Sequence, residues 1–328
     1  MPAPLAKVTG ALADKLAGVA MENVTMSNGH SLNEILHNHA LWLEGVETGL
    51  RGILEGETLN GLALQGVALR SVILRETALL DADLSGADLS GAIIDGVDFE
   101  RAILSGVDLC GAQISETQFP FGWMPGSLWA DTKLRTNNFQ KVNLRNSRFQ
   151  NASIENCKLM GAILAEASFH HARLATCDLT DADLTKAQFI RVQLQACRLV
   201  AVKGPGANFS NARLKDCNCA KSDFTGAKFF QADFSRSEFD RSLLYDVDFR
   251  EAQLSGVDFC RSDLSYSRFR GAKLFATDFR GADLTGAQEL TIAQLTQART
   301  DEGTTLPNGT RGPYSRFSGA ERCVLINR

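Results

Sequence analysis

Four cysteines, Cys157, Cys177, Cys197 and Cys217, recur at intervals of 20 residues in a chain that holds eight. Thiols bridge when their Cα atoms lie about 4.4–6.8 Å apart, and they hold zinc when three or four converge. The spacing here fits neither a metal-ligand motif nor a C-x-x-C redox motif. These side chains are therefore expected to be buried, reduced fillers. His170 and His171 are adjacent and supply at most two ligands, so a solvated pair is expected rather than a metal site. His30, His37 and His39 fall near a helical segment, where His39 is expected to pack. The stretch VKGPGANFSN around Gly204 lacks phosphate-loop spacing and is expected to kink one corner. No G-x-S-x-G, no H-E-x-x-H and no pair of catalytic carboxylates is present. The expectation is a protein that is not an enzyme and takes no cofactor and no metal.

The elements that must position these residues show a period of five. Every fifth residue from Leu59 to Leu284 gives 46 positions, of which 42 are Leu, Ile or Phe; Met124, Trp129, Gly204 and Cys219 depart. Two residues earlier the side chain is small, as at Ala82, Ala87, Ala92 and Val97, with Asn137 an exception. A period of five matches neither helix nor strand. It demands a chain that turns once per unit.

This small–x–Leu/Phe–x–x unit resembles that of the pentapeptide-repeat family. The resemblance implies an all-β solenoid, a right-handed quadrilateral parallel β-helix of about 11 coils. Each coil would hold four units, with the large central residue and the small residue two before it pointing inward. The residues support a 20-residue coil independently: Phe149, Phe169, Phe189, Phe209, Phe229, Phe249 and Phe269 keep that spacing. With coils about 4.8 Å apart, they become a phenylalanine ladder, and the four cysteines become a second ladder. Asp83, Asp178, Asp223 and Asp258 precede central residues, where a solvated polar group is tolerated.

Three segments are expected: residues 1–56 as an N-terminal helical cap, 57–288 as the β-helix, and 289–328 as a C-terminal helix, loop and candidate edge strand. Ser31 followed by Glu34 is a capping-box signature, placing a helix at 31–43. Residues 5–22 form a weaker amphipathic pattern. ELTIAQLTQA, 289–298, turns helical again, and TDEGTTLPNGT reads as loop. The β-prone CVLIN run hints at a homodimer through the C-terminal segment.

The net charge of −4 demands neither nucleic acid nor an anionic membrane. No stretch is apolar enough for a membrane span, and the expected location is cytoplasmic. Summed by level, residues 81–116 carry a net −7, 131–215 a net +7 and 216–288 a net −2. The candidate partner-binding residues are Phe121, Trp123 and Trp129, in the irregular stretch 117–131 that is expected to be distorted coil, and Lys133, Arg135, Arg173 and Arg213 of the basic band. The expected function is a scaffold that presents a rigid β-helical rod to a protein partner. The family resemblance offers an alternative, a DNA mimic that protects a type II topoisomerase (DNA gyrase), which the basic band disfavours; a secreted effector is a further alternative. Nucleic acid is not the expected partner.

Overall fold

Five residues close one turn of the chain's path, and residues 82–86 show how. The Ala87 N–H donates to the Leu84 carbonyl at 3.0 Å, while Gly86 adopts φ +65°. This is a type II turn, which needs a left-handed residue at its third position. Positive φ recurs at every fifth residue from Gly56 to Gly286. Most of these corners are not glycine; Asn146, Asn151, Asn156 and Asn211 hold the left-handed geometry that asparagine tolerates.

All the N–H groups of such a unit are satisfied. Asp83 N–H donates to Leu62 in the preceding coil at 2.9 Å; Leu84 and Gly86 donate to Ile103 and Ser105 in the next at 2.7 and 2.8 Å. Ala82 N–H closes the previous turn onto Leu79. The remaining group, Ser85 N–H, donates to Asp83 Oδ1 at 2.9 Å. The recurrent aspartates are thus turn caps rather than merely tolerated polar groups, and Asp178, Asp223 and Asp258 repeat the bond.

The computed structural model describes residues 24–27 and 29–323. The chain divides into two units, one ending at Asn143 and one starting at Leu144. In the first, β1 (Ile53–Glu55), β2 (Ile73–Arg75), β3 (Ile93–Asp95), β4 (Gln113–Ser115) and β5 (Lys133–Arg135) pair in order, parallel, with a 20-residue register. In the second, β6 (Ser153–Glu155), β7 (Arg173–Ala175), β8 (Gln193–Gln195) and β9 (Arg213–Lys215) do the same. The ladders Thr58↔Ala78, Ala63↔Asp83 and Ala68↔Asp88 form the three other sides of the coil. The fold is a four-sided parallel β-solenoid. Nine coils carry a full strand among the described residues, fewer than the eleven coils expected, because beyond Lys215 this side continues as isolated bridges such as Asp233↔Gln253.

Large central residues fill the core. In the first unit Phe99, Phe119 and Phe139 stack at 5.1 and 4.8 Å. In the second, Phe149, Phe169, Phe189 and Phe209 stack at 4.6–4.7 Å with planes 3° apart. The ladder then tilts: Phe229 meets Phe209 at 70°. Gly204 explains the change. It makes no kink, since its N–H and carbonyl keep the regular bonds to Asp223 and Ala207. A Cβ there would instead lie 2.8 Å from the Phe224 ring. The missing side chain makes room for that ring, which turns edge-on to Phe209.

The small inward positions also accept polar groups that serve the backbone. Asn137 takes the Thr117 N–H and donates to the Ile114 carbonyl. Ser222 takes the Val202 N–H at 3.0 Å and donates to Leu199 at 2.6 Å.

Helices and loops close the ends. Helix α1 (Leu32–Leu43) starts with the Ser31–Glu34 capping box and buries Leu32, Leu36 and His39. At the other end α2 (Ile292–Gln297) is capped by Thr291, and Gln294 donates to the Phe269 and Ala272 carbonyls. The segment expected as plain loop completes the last coils: Leu284 and Gly286 donate to the Thr305 and Pro307 carbonyls. The amphipathic run at 5–22, most of CVLIN and the expected C-terminal dimer contact lie outside the described residues. No described helix is long and apolar enough to cross a membrane.

Gly204→Leu should lower stability by about 1–3 kcal/mol through overpacking. Combining it with Phe224→Leu should cost clearly less than the two single effects added, measured as a double-mutant cycle of denaturation midpoints; simple additivity would contradict the account of Gly204. A second prediction concerns His39, whose Nδ1 accepts the Gly52 N–H at 2.9 Å. Burial, helped by Arg51, lowers its pKa below 6.5. The unfolded chain therefore takes up the proton first, so the cap is fully stable above about pH 6.5 and weakens as the pH falls toward the lower folded-state value. Hydrogen-exchange protection of the α1 amides should drop on going from about pH 7 to about pH 5, and His39→Gln should remove that drop.

Candidate interaction surface

The stretch 117–131 looks irregular in sequence and is regular in structure. Pro120 and Pro125 occupy the second turn position, where φ near −65° is needed, and Phe121 and Gly126 take the left-handed third, at φ +59° and +69°. Two outward aromatics result. Phe121 sits on a corner, 55% exposed, with the Lys141 ammonium 5.6 Å from its ring centre. Trp123 takes the place before a central residue that aspartate holds in other units, and it is 53% exposed. It lies in the ladder Ile103↔Trp123↔Asn143, and Ile103 is itself partly exposed.

Trp129 leaves the candidate surface. It occupies a central position, is fully buried, and packs its edge against Phe119 and Phe139. Its Nε1–H donates to Ser127 Oγ at 2.7 Å. The phenylalanines are also not uniformly inward: Phe275 and Phe317 are largely exposed.

Lys133 and Arg135 stand outward at the two ends of β5 in the first unit. Arg173 and Arg213 belong to the second, where parallel register places Gln193 between them. Beside this strand face runs a corner column, Asn151, His171, Arg191 and Asn211, all left-handed. Together they border open concavities of ≈ 510 Å³ and ≈ 260 Å³ that share His171, Arg191 and Gln193. Among the described residues Arg173, Arg191 and Arg213 carry no ion pair, whereas Arg145, Arg198 and Arg236 pair with Glu166, Asp178 and Asp216. Nothing in the local sequence marks Arg191 off from Arg198; the 20-residue register does, by setting it next to Arg173 and Arg213.

The remaining chemical groups are accounted for locally. His170 Nδ1 lies 2.6 Å from Ser168 Oγ. Cys177, Cys197 and Cys217 are buried free thiols whose Sγ atoms donate to backbone carbonyls at 3.4–3.6 Å. Neighbouring thiols of the ladder, and then burial, hold Cys177 and Cys217 far above the ordinary thiol range; Cys157 is likewise buried. Among the described residues no three His, Cys, Asp or Glu side chains converge to hold a metal ion.

Solved structures of similar fold include HetL from the cyanobacterium Nostoc sp. strain PCC 7120, described as involved in heterocyst differentiation regulation. It is 22% identical, covers 86% of this chain and 99% of its own, and has a TM-score of 0.37. Rfr23 from the cyanobacterium Cyanothece 51142 is 21% identical over 33% of this chain and 87% of its own, with a TM-score of 0.31. Full-length QnrB1, a plasmid-mediated fluoroquinolone resistance protein, is 17% identical over 76% of this chain and 94% of its own, with a TM-score of 0.21. No curated protein matches the sequence significantly. Family models for pentapeptide repeats match residues 63–101, 92–127, 130–164, 242–281 and 267–299, and a pentapeptide repeat region matches 167–242. With the five-residue turn observed along the same stretch, the chain belongs to the pentapeptide repeat family.

Proposed function

We propose that this protein is a non-enzymatic interaction scaffold whose first unit engages a protein partner through Phe121, Trp123 and the neighbouring Ile103. The exposure of the two aromatics carries the reading. The fold does not require it, because the same ladder holds Asp83 and Asn143 at equivalent outward positions. A polar residue would serve the coil equally well, while two aromatics and an isoleucine in water are costly unless something covers them. Aromatic side chains dominate binding hot spots, and Lys141 holds the Phe121 ring from one side, limiting the entropy lost on binding. The surface stands on backbone that is hydrogen-bonded into coils on both sides, so it is pre-organised.

The DNA-mimic alternative finds less support. Asp83, Asp88, Asp98 and Asp108 each commit one carboxylate oxygen to the turn two residues on, and the unpaired arginines of the second unit would repel phosphate-seeking surfaces.

The test is affinity capture with the full chain against Phe121→Ser/Trp123→Ser. The variant should keep its melting temperature within about 2 °C, since both sites are outward, and should lose a partner that the parent retains. A partner set identical for the two proteins would defeat the proposal.

A further inference from the structure

The strand face of the second unit holds a feature independent of the aromatic patch. From Arg173 through Gln193 to Arg213 the outward side chains of β7, β8 and β9 are exposed and rich in hydrogen-bond donors. Lys215 extends the series at the end of β9, and Arg191 flanks it at the corner. Three acidic residues adjoin this face: Glu155 lies at the far end on β6, Asp216, at the edge, is engaged by Arg236, and Asp233, next to Arg213 in the following coil, turns one carboxylate oxygen to Ser235. Cationic side chains brought together by register but left without ion pairs form a surface of unbalanced positive charge. The concavity they border is open and shallow, unlike a small-molecule pocket that encloses its ligand.

We infer that this face is a docking site for an acidic peptide segment of another protein, laid in extended form across the coils. Three observations select that occupant. The charge is complementary to carboxylates, and arginine and glutamine offer the planar N–H groups that pair with them. Neither concavity is lined by Phe, Tyr or Trp, so nucleic-acid bases find at most the His171 imidazole to stack on and not a run of aromatic platforms. The spacing also fits. Arg173 and Arg213 are two coils apart, about 9.6 Å at the usual strand separation. A polyproline II segment advances about 9.3 Å in three residues and returns the third to the same side. Acidic residues three apart would then meet the two arginines in turn, with Arg191 between their levels.

The probes are fluorescein-labelled (Glu-Pro-Pro)4, its Gln-Pro-Pro counterpart and a dodecamer of oligo-dT, followed by anisotropy on the full chain at low and moderate salt. The expected result is saturable binding of the glutamate peptide that weakens with salt and no binding of the glutamine peptide. Arg173→Gln/Arg191→Gln/Arg213→Gln should weaken it at least about tenfold, while Arg241→Gln/Arg261→Gln/Arg270→Gln, which removes equal charge elsewhere, should leave it unchanged. Absence of binding, equal loss in both triple variants, or tighter binding of oligo-dT would each overturn the inference. None of these outcomes bears on Phe121 and Trp123, so the two surfaces stand or fall separately.

Discussion

The left-handed corner at every fifth residue is the constraint on which the rest of the structure depends. It turns the chain so sharply that only four residues lie between one corner and the next, too few for a unit to satisfy its own backbone. In residues 82–86 three of five N–H groups donate to other coils, and only two find partners nearby. A coil therefore has no stable form by itself; its hydrogen bonds exist only when the coils before and after are in place. This explains why both ends are elaborated. Gln294, Arg299, Asp301 and Thr305 bring backbone and side-chain groups to the last coils, and α1 places His39 under the first.

The same corner divides the positions of the unit by what they can vary. Left-handed geometry costs an ordinary residue about 1–2 kcal/mol, yet between residues 131 and 221 only Gly161 and Gly206 among the corners are glycine. The strain is carried because the hydrogen bonds on either side over-determine the turn. What the coil gains is a side chain at each corner: Phe121, His171 and Arg191 are corner residues. Positions that would be silent glycines become surface. Inward positions have no such latitude, and substitutions there are compensated across coils, as Gly204 is by Phe224.

Much of this was legible in the sequence. The five-residue phase and the 20-residue ladders prescribe the solenoid because inward volume must match between stacked coils, and the capping box at Ser31 announces α1. What escaped detection has a common physical cause: the period-five pattern reports burial and is silent on backbone geometry. Pro120 and Pro125 looked like disruption, although they sit where a type II turn favours proline. Gly204 looked like a kink, although the vacancy belongs to a ring in the next coil. Trp129 was grouped with Phe121 and Trp123 by composition, whereas its phase makes it a core residue. The unpaired arginines were visible only as a band of charge, since whether Arg191 meets an acid depends on neighbours 20 residues away.

A periodic surface constrains what function can be built on it. Outward positions repeat at a fixed separation along each side, so a ladder of like groups can engage any ligand of matching charge and pitch, and its affinity grows by increments from coil to coil. Such a surface discriminates weakly between ligands of one class. Sharp specificity requires a break in the series, a position where one coil presents something its neighbours do not. Trp123, between Ile103 and Asn143, is such a break, and so is the run Arg173, Arg191 and Arg213, without ion pairs among the described residues, where Arg145, Arg198 and Arg236 of the same unit are paired. The family pattern specifies the scaffold, and departures from it at outward positions, where folding imposes no requirement, are where the specific chemistry of this chain resides.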